Sequence, residues 1–141
     1  MNRLGESHKE NQMKRSDLLT ITSLLSILFM TFHLSDDVVR GFEPGGFNNV
    51  TGALILVVWL LGTLVLTGRR SGYIIILLGS IFGSIVPMAH MRGVGLVGGR
   101  MANTSGMLFF VWTLFTLEVT AIFSLILSVL GLWSLPWRRR V

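Results

Sequence analysis

The stretch Met107–Leu135, MLFFVWTLFTLEVTAIFSLILSVLGLWSL, decides the fold class, because it holds a single ionisable residue, Glu118. A bilayer core accepts about 20 mostly apolar residues as one helix, within a range of roughly 17–25. This run exceeds that range. Working back toward the amino end, Tyr73–Met91, Val50–Thr67 and Leu18–Leu34 share its character, with short charged or glycine-rich connections between them. The pattern predicts an all-α integral membrane protein, an up-down-up-down bundle of four transmembrane helices. With 141 residues, 51% hydrophobic and 13% charged, there is no material for a second domain. The expected division is a polar segment over 1–16, a four-helix transmembrane domain over 17–137 and a basic tail over 138–141.

The net charge of +5 invites a nucleic-acid reading until the charges are located. Arg3, Lys9, Lys14 and Arg15 precede the first run, Arg69 and Arg70 lie between the second and third, and Arg138, Arg139 and Arg140 end the chain. The opposite side has only Arg40, Arg92 and Arg100. Lys and Arg accumulate on the cytoplasmic side, so both termini are expected in the cytoplasm of a multi-pass cell-membrane protein. The basic residues then read as topology signals and contacts for anionic lipid, and nucleic acid is not an expected partner. The same bias argues against a dual-topology dimer. Cysteine is absent, which excludes disulfides, thiolate metal sites and cysteine nucleophiles. The basic amino end before an apolar run resembles a signal peptide, but no small-x-small site follows, so the run reads as an uncleaved first span. Residues 1–16 are expected to be mobile.

Two motif matches carry little chemistry. Gly93-Val94-Gly95-Leu96-Val97-Gly98 spells G-x-G-x-x-G, yet no strand precedes it, and the dinucleotide fingerprint needs a strand feeding a helix amino end. Asn49-Val50-Thr51 and Asn103-Thr104-Ser105 match the glycosylation acceptor pattern beside the membrane.

Polar residues inside the spans say more. At about 100° per residue, Ser23, Ser26, Met30, His33, Asp37 and Arg40 fall on one stripe of the first helix. In the third, Gly79, Gly83, Pro87 and His90 share a face, with a small-residue contact at Gly79 and Gly83 and a bend expected from Pro87. Both helices run outward, which puts His33 and His90 at similar depth. Three uses suit this cluster. The residues can tie helix ends together. They can hold a cofactor: His33 and Asp37 converge on one divalent metal such as zinc or iron, with His90 as third ligand and Asp36 or Glu43 adding an oxygen, or His33 and His90 clamp one b-type haem. They can also relay a proton. Arg40 is expected to orient the carboxylate.

Glu118 lies about 16 Å into the last span, near the midplane, where a charged carboxylate costs about 2.5–3.5 kcal/mol and calls for a partner or a proton. Its helical neighbours Val111, Leu114, Phe115, Ile122 and Leu125 are apolar, while Thr113, Thr116, Thr120, Ser124 and Gly131 form a small polar stripe facing nearly the other way. If that stripe packs inward, Glu118 meets lipid, a partner protein, a second copy or a lateral ligand such as a quinone. If Glu118 points inward, it can couple to protons or hydrogen-bond Trp59 or Thr63. No H-E-x-x-H, G-x-S-x-G or phosphate-binding lysine loop is present, which leaves enzymatic activity open. The expected function is a binding or accessory role at the outer-leaflet His/Asp site. The alternatives are a metal-dependent membrane enzyme acting on a lipid or interfacial substrate, and a proton-coupled small transporter using Glu118. Expected partners are the bilayer and a homo-oligomer or membrane protein met through span four.

Overall fold

The computed structural model of the protein describes residues 3–41, 46–92 and 106–135. These form four helices: α1 (Arg3–Arg40), α2 (Phe47–Leu64), α3 (Arg70–Arg92) and α4 (Met107–Ser134). Three of them are long and apolar enough to cross a membrane, over Glu10–Arg40, Arg70–Ala89 and Leu108–Ser134. The apolar part of α2, Asn49–Leu64, is shorter. It ends before Thr67 because the chain turns after Leu64: Val65 and Leu66 N–H both donate to the Leu61 carbonyl, and Gly68 takes the left-handed conformation at φ 73°. Glycine tolerates that backbone at no steric cost.

α1 departs from the expected mobile leader. It is helical from Arg3, 38 residues in all and about 57 Å long. The polar segment is rich in Glu, Lys, Gln and Met, all good helix formers, and Lys14 Nζ donates to Glu10 Oε1 at 2.7 Å, a helical neighbour pair.

The helices pack around a four-membered ring in which α4 lies along α1 and α3, and α2 closes the ring against α3 and α1. α1 and α3 also touch across the short diagonal, whereas α2 and α4 do not pack together among the described residues. The interior of the ring holds Ser23, Ser26, Thr63, Ser80, Thr113, Ser124 and Ser128, each essentially fully buried. Leu28, Phe82, Ile85, Phe115, Ile122 and Ile126 cover the outside. The interior is mixed, since Leu19, Ile27, Trp59, Ile76, Leu114 and Leu117 are buried beside these hydroxyls, while the outside is almost wholly apolar.

Trp59 of α2 is the hub, 1% exposed. Its indole lies flat on Gly79 of α3, where any Cβ would overlap the ring, and its far edge reaches Gly83. The small pair read as a helix-to-helix contact is therefore a seat for one aromatic ring. Gly83 also faces Leu117 and Ala121 of α4, so the same glycine lets three helices meet. Trp59 Nε1 donates to Ser23 Oγ at 3.0 Å, and Thr63 Oγ1 donates to the Trp59 carbonyl at 2.9 Å. With the Thr63 proton used there, Ser23 Oγ donates to Thr63 Oγ1 across 2.7 Å. The bonds close a loop, and each hydroxyl both gives and accepts. One turn away on α4, Ser124 Oγ donates to Thr22 Oγ1 at 3.0 Å.

Candidate functional site

His33, Asp37 and Arg40 sit in the last two turns of α1, at the end of the bundle where α4 begins. The stripe read from the spacing is the buried one: Ser23, Ser26, Met30, His33 and Asp37 are all buried. His33 Nε2 stands 3.3 Å from Asp37 Oδ2, with side-chain exposures of 3% and 8%. The imidazole leans on Phe110 of α4, ring centroids 5.4 Å apart at 54°. One residue away, Phe32 and Phe109 make a similar pair at 6.1 Å. Two successive aromatic contacts thus lock the end of α1 against the first turn of α4.

Arg40 Nε donates to Asp36 Oδ2 at 2.6 Å, so Asp36 is one carboxylate that it holds. Adjacent aspartates diverge by about 100° on a helix, so Asp36 and Asp37 leave α1 in different directions. The Arg40 guanidinium also lies 6.0 Å from the Phe110 ring centre and occupies the space beside Gly106, where a Cβ would overlap its Nη2. Phe110 therefore meets both the histidine and the arginine. Sequence reasoning missed it, although Phe110, Leu117, Ser124 and Gly131 recur every seventh residue and mark the seam of α4.

His90 belongs to the last turns of α3, but its side chain lies outside the described residues, as do Glu43, the G-x-G-x-x-G run and Asn103. The backbone register still gives its depth. Gly83 sits level with Leu117 and Ala121, so seven residues further on α3 brings His90 within about 3 Å of the level of Phe110. Among the described residues no group of three His, Asp or Glu side chains gathers, so the described part of the site is the His33–Asp37 pair.

Glu118 lies between the two alternatives. The inward face of α4 is Phe110, Thr113, Leu114, Leu117, Ala121, Ser124 and Ser128, all buried. Glu118 is about 80° from the centre of that face and half-buried, at the depth of Gly83. It makes no hydrogen bond to Trp59 or Thr63, which are engaged with Ser23 on the far side of the ring. No ion pair among the described residues involves it.

No protein-family model matches the sequence, and no curated protein or solved structure is significantly similar to it.

Proposed function

We propose that the chain is a small polytopic membrane protein with a binding or accessory role, whose His33–Asp37 pair holds a divalent metal ion near the outer leaflet with His90 as third ligand. The apolar outside supports the bilayer setting: a lipid solvent accepts the Leu, Ile and Phe surface, and small hydroxyl residues bond helices to one another inside. α2 is about 27 Å long by its 18 residues, and although its apolar part Asn49–Leu64 is shorter than the other three, that length supports a fourth crossing with both termini on the cytoplasmic side.

The observation that carries the metal reading is the 3.3 Å between His33 Nε2 and Asp37 Oδ2. A charge-assisted N–H···O bond draws its atoms to about 2.7–2.9 Å. Two ligands each about 2.0–2.1 Å from a tetrahedral ion stand roughly 3.3–3.4 Å apart. The pair's 3.3 Å lies nearer the second spacing, which supports the metal reading. Binding through Nε2 requires that nitrogen to be free of its proton, so acid competes with the metal. The protein's own part is to hold one nitrogen and one oxygen at ligand spacing in a site shielded by Phe110.

Loading with Co²⁺ tests this. The visible ligand-field bands of a low-symmetry site are expected in the wild-type protein, absent in His33→Ala and Asp37→Asn, and retained in Met30→Leu. Bands that persist in both site variants would show that the cobalt sits elsewhere.

Glu118 supports a second, separate reading. A half-buried carboxylate at the rim of α4 suits a lateral membrane partner or a second copy. Glu118→Gln is expected to weaken that association in crosslinking while leaving metal content unchanged.

A further inference from the structure

The opposite end of the bundle contains a cleft of ≈ 680 Å³ between the polar first turns of α1, the start of α3 and the end of α4. Its walls differ in chemistry along the helix axis. Toward the chain's amino end, Gln12, Arg15 and Ser16 line it, with Tyr73 on the facing side; toward the bundle, Leu127 and Leu130 form an apolar wall. The cleft therefore straddles the boundary at Leu18 where the apolar run begins. The helical extension of α1 creates it, because a mobile leader would leave α4 without a facing wall. Gly131 contributes by omission: any Cβ there would overlap the Tyr73 ring, which lies against α4 and lines the cleft.

We infer that this cleft binds one anionic phospholipid, its phosphate on Arg15 and an acyl chain along Leu127 and Leu130. Charge favours that occupant. The described end carries Lys14, Arg15, Arg69 and Arg70 against Glu10 and Asp17, and Lys14 is already paired with Glu10. Arg15 is exposed and takes part in no ion pair among the described residues. Asp17 also lines the cleft and excludes a bare, fully charged phosphate, whereas the glycerol hydroxyls of a headgroup such as phosphatidylglycerol donate to it. A cation, an acceptor and a greasy wall in one depression match a lipid better than a soluble anion. This inference rests on the bilayer reading above and is independent of the metal site.

The test offers the detergent-purified protein an equimolar mixture of phosphatidylglycerol, phosphatidylethanolamine and phosphatidylcholine, and counts retained lipid by native mass spectrometry. One phosphatidylglycerol is expected to be retained roughly fivefold over either zwitterionic lipid, the worth of one well-placed arginine. Arg15→Ala is expected to erase the preference, Arg15→Lys to keep most of it, and Leu130→Trp to reduce retention of every lipid by filling the wall. Inorganic phosphate at the same concentration is expected not to compete. Equal retention of the three lipids, a preference that survives both Arg15→Ala and Leu130→Trp, or competition by inorganic phosphate would overturn the inference. Metal content measured on the same sample reports on His33 separately, so failure of one site is not mistaken for failure of the other.

Discussion

Ser23 carries two hydrogen bonds in the middle of the bundle, and its removal strands the buried indole N–H of Trp59. Ser23→Ala is therefore expected to cost about 1–3 kcal/mol, since an unsatisfied buried donor loses its full desolvation penalty. Ser80, equally buried, has no hydrogen-bond partner among the described residues, and Ser80→Ala is expected to be near neutral. Unfolding of the two variants in detergent checks the ranking, and equal losses would remove the special role of the Ser23 loop. Gly79→Ala forces a Cβ into the Trp59 ring, with an expected cost of about 1–3 kcal/mol. The same substitution in a Trp59→Leu background is expected to cost much less, the coupling that contacting residues show in a double-mutant cycle. Part of this was legible beforehand. The steps of three and four from Ser23 to Asp37 marked the buried face of α1, because helix periodicity alone brings those residues together. The seat of Trp59 was not legible: Gly79 and Gly83 announce a close approach without saying whether backbone or an indole makes it. Arg40 had two aspartates within helical reach, and spacing alone did not show that it bonds Asp36.

At the scale of the element, α1 does two jobs with one continuous helix. Its far end carries the His33–Asp37 pair and latches onto α4 through Arg40 beside Gly106. Gly106→Val is expected to expel the guanidinium, and faster hydrogen exchange over residues 36–40 would report the loosened latch. Its amino end walls the phospholipid cleft. Asn11→Pro is expected to break the extension, because an interior proline costs about 3 kcal/mol in a helix. Far-UV ellipticity should fall, while lipid selectivity and metal content are kept, because Arg15 and the rest of the α1 wall follow the proline and can start a helix from it. Composition suggested a mobile leader because it weighed polarity above propensity; the Glu10–Lys14 pair and the good helix formers around it decide otherwise. α2 shows the opposite error. Its apolar letters continue to Thr67, but the turn at Gly68 requires the helix to stop at Leu64.

For the whole molecule, four helices in sequence return the chain to the side from which it started. The absence of native cysteine makes that testable without background. Cysteines placed by Lys14→Cys and Arg69→Cys are expected to react with an impermeant maleimide from one side of sealed vesicles, and one placed by Val39→Cys from the other. Labelling of Lys14→Cys and Arg69→Cys from opposite sides would contradict the four-span arrangement. The all-helical class of the fold is written in the lengths of the apolar runs, three of which form helices long enough to cross a membrane. The site is written more faintly, because histidine and aspartate at helical spacing serve packing, protons and metals alike. The most direct measurement is the zinc content of protein purified without chelators, resupplied with zinc and freed of excess, beside a His33→Ala variant. One equivalent in the wild-type protein and none in the variant is the predicted result. A wild-type protein that retains no zinc, or a variant that retains as much, would contradict the account.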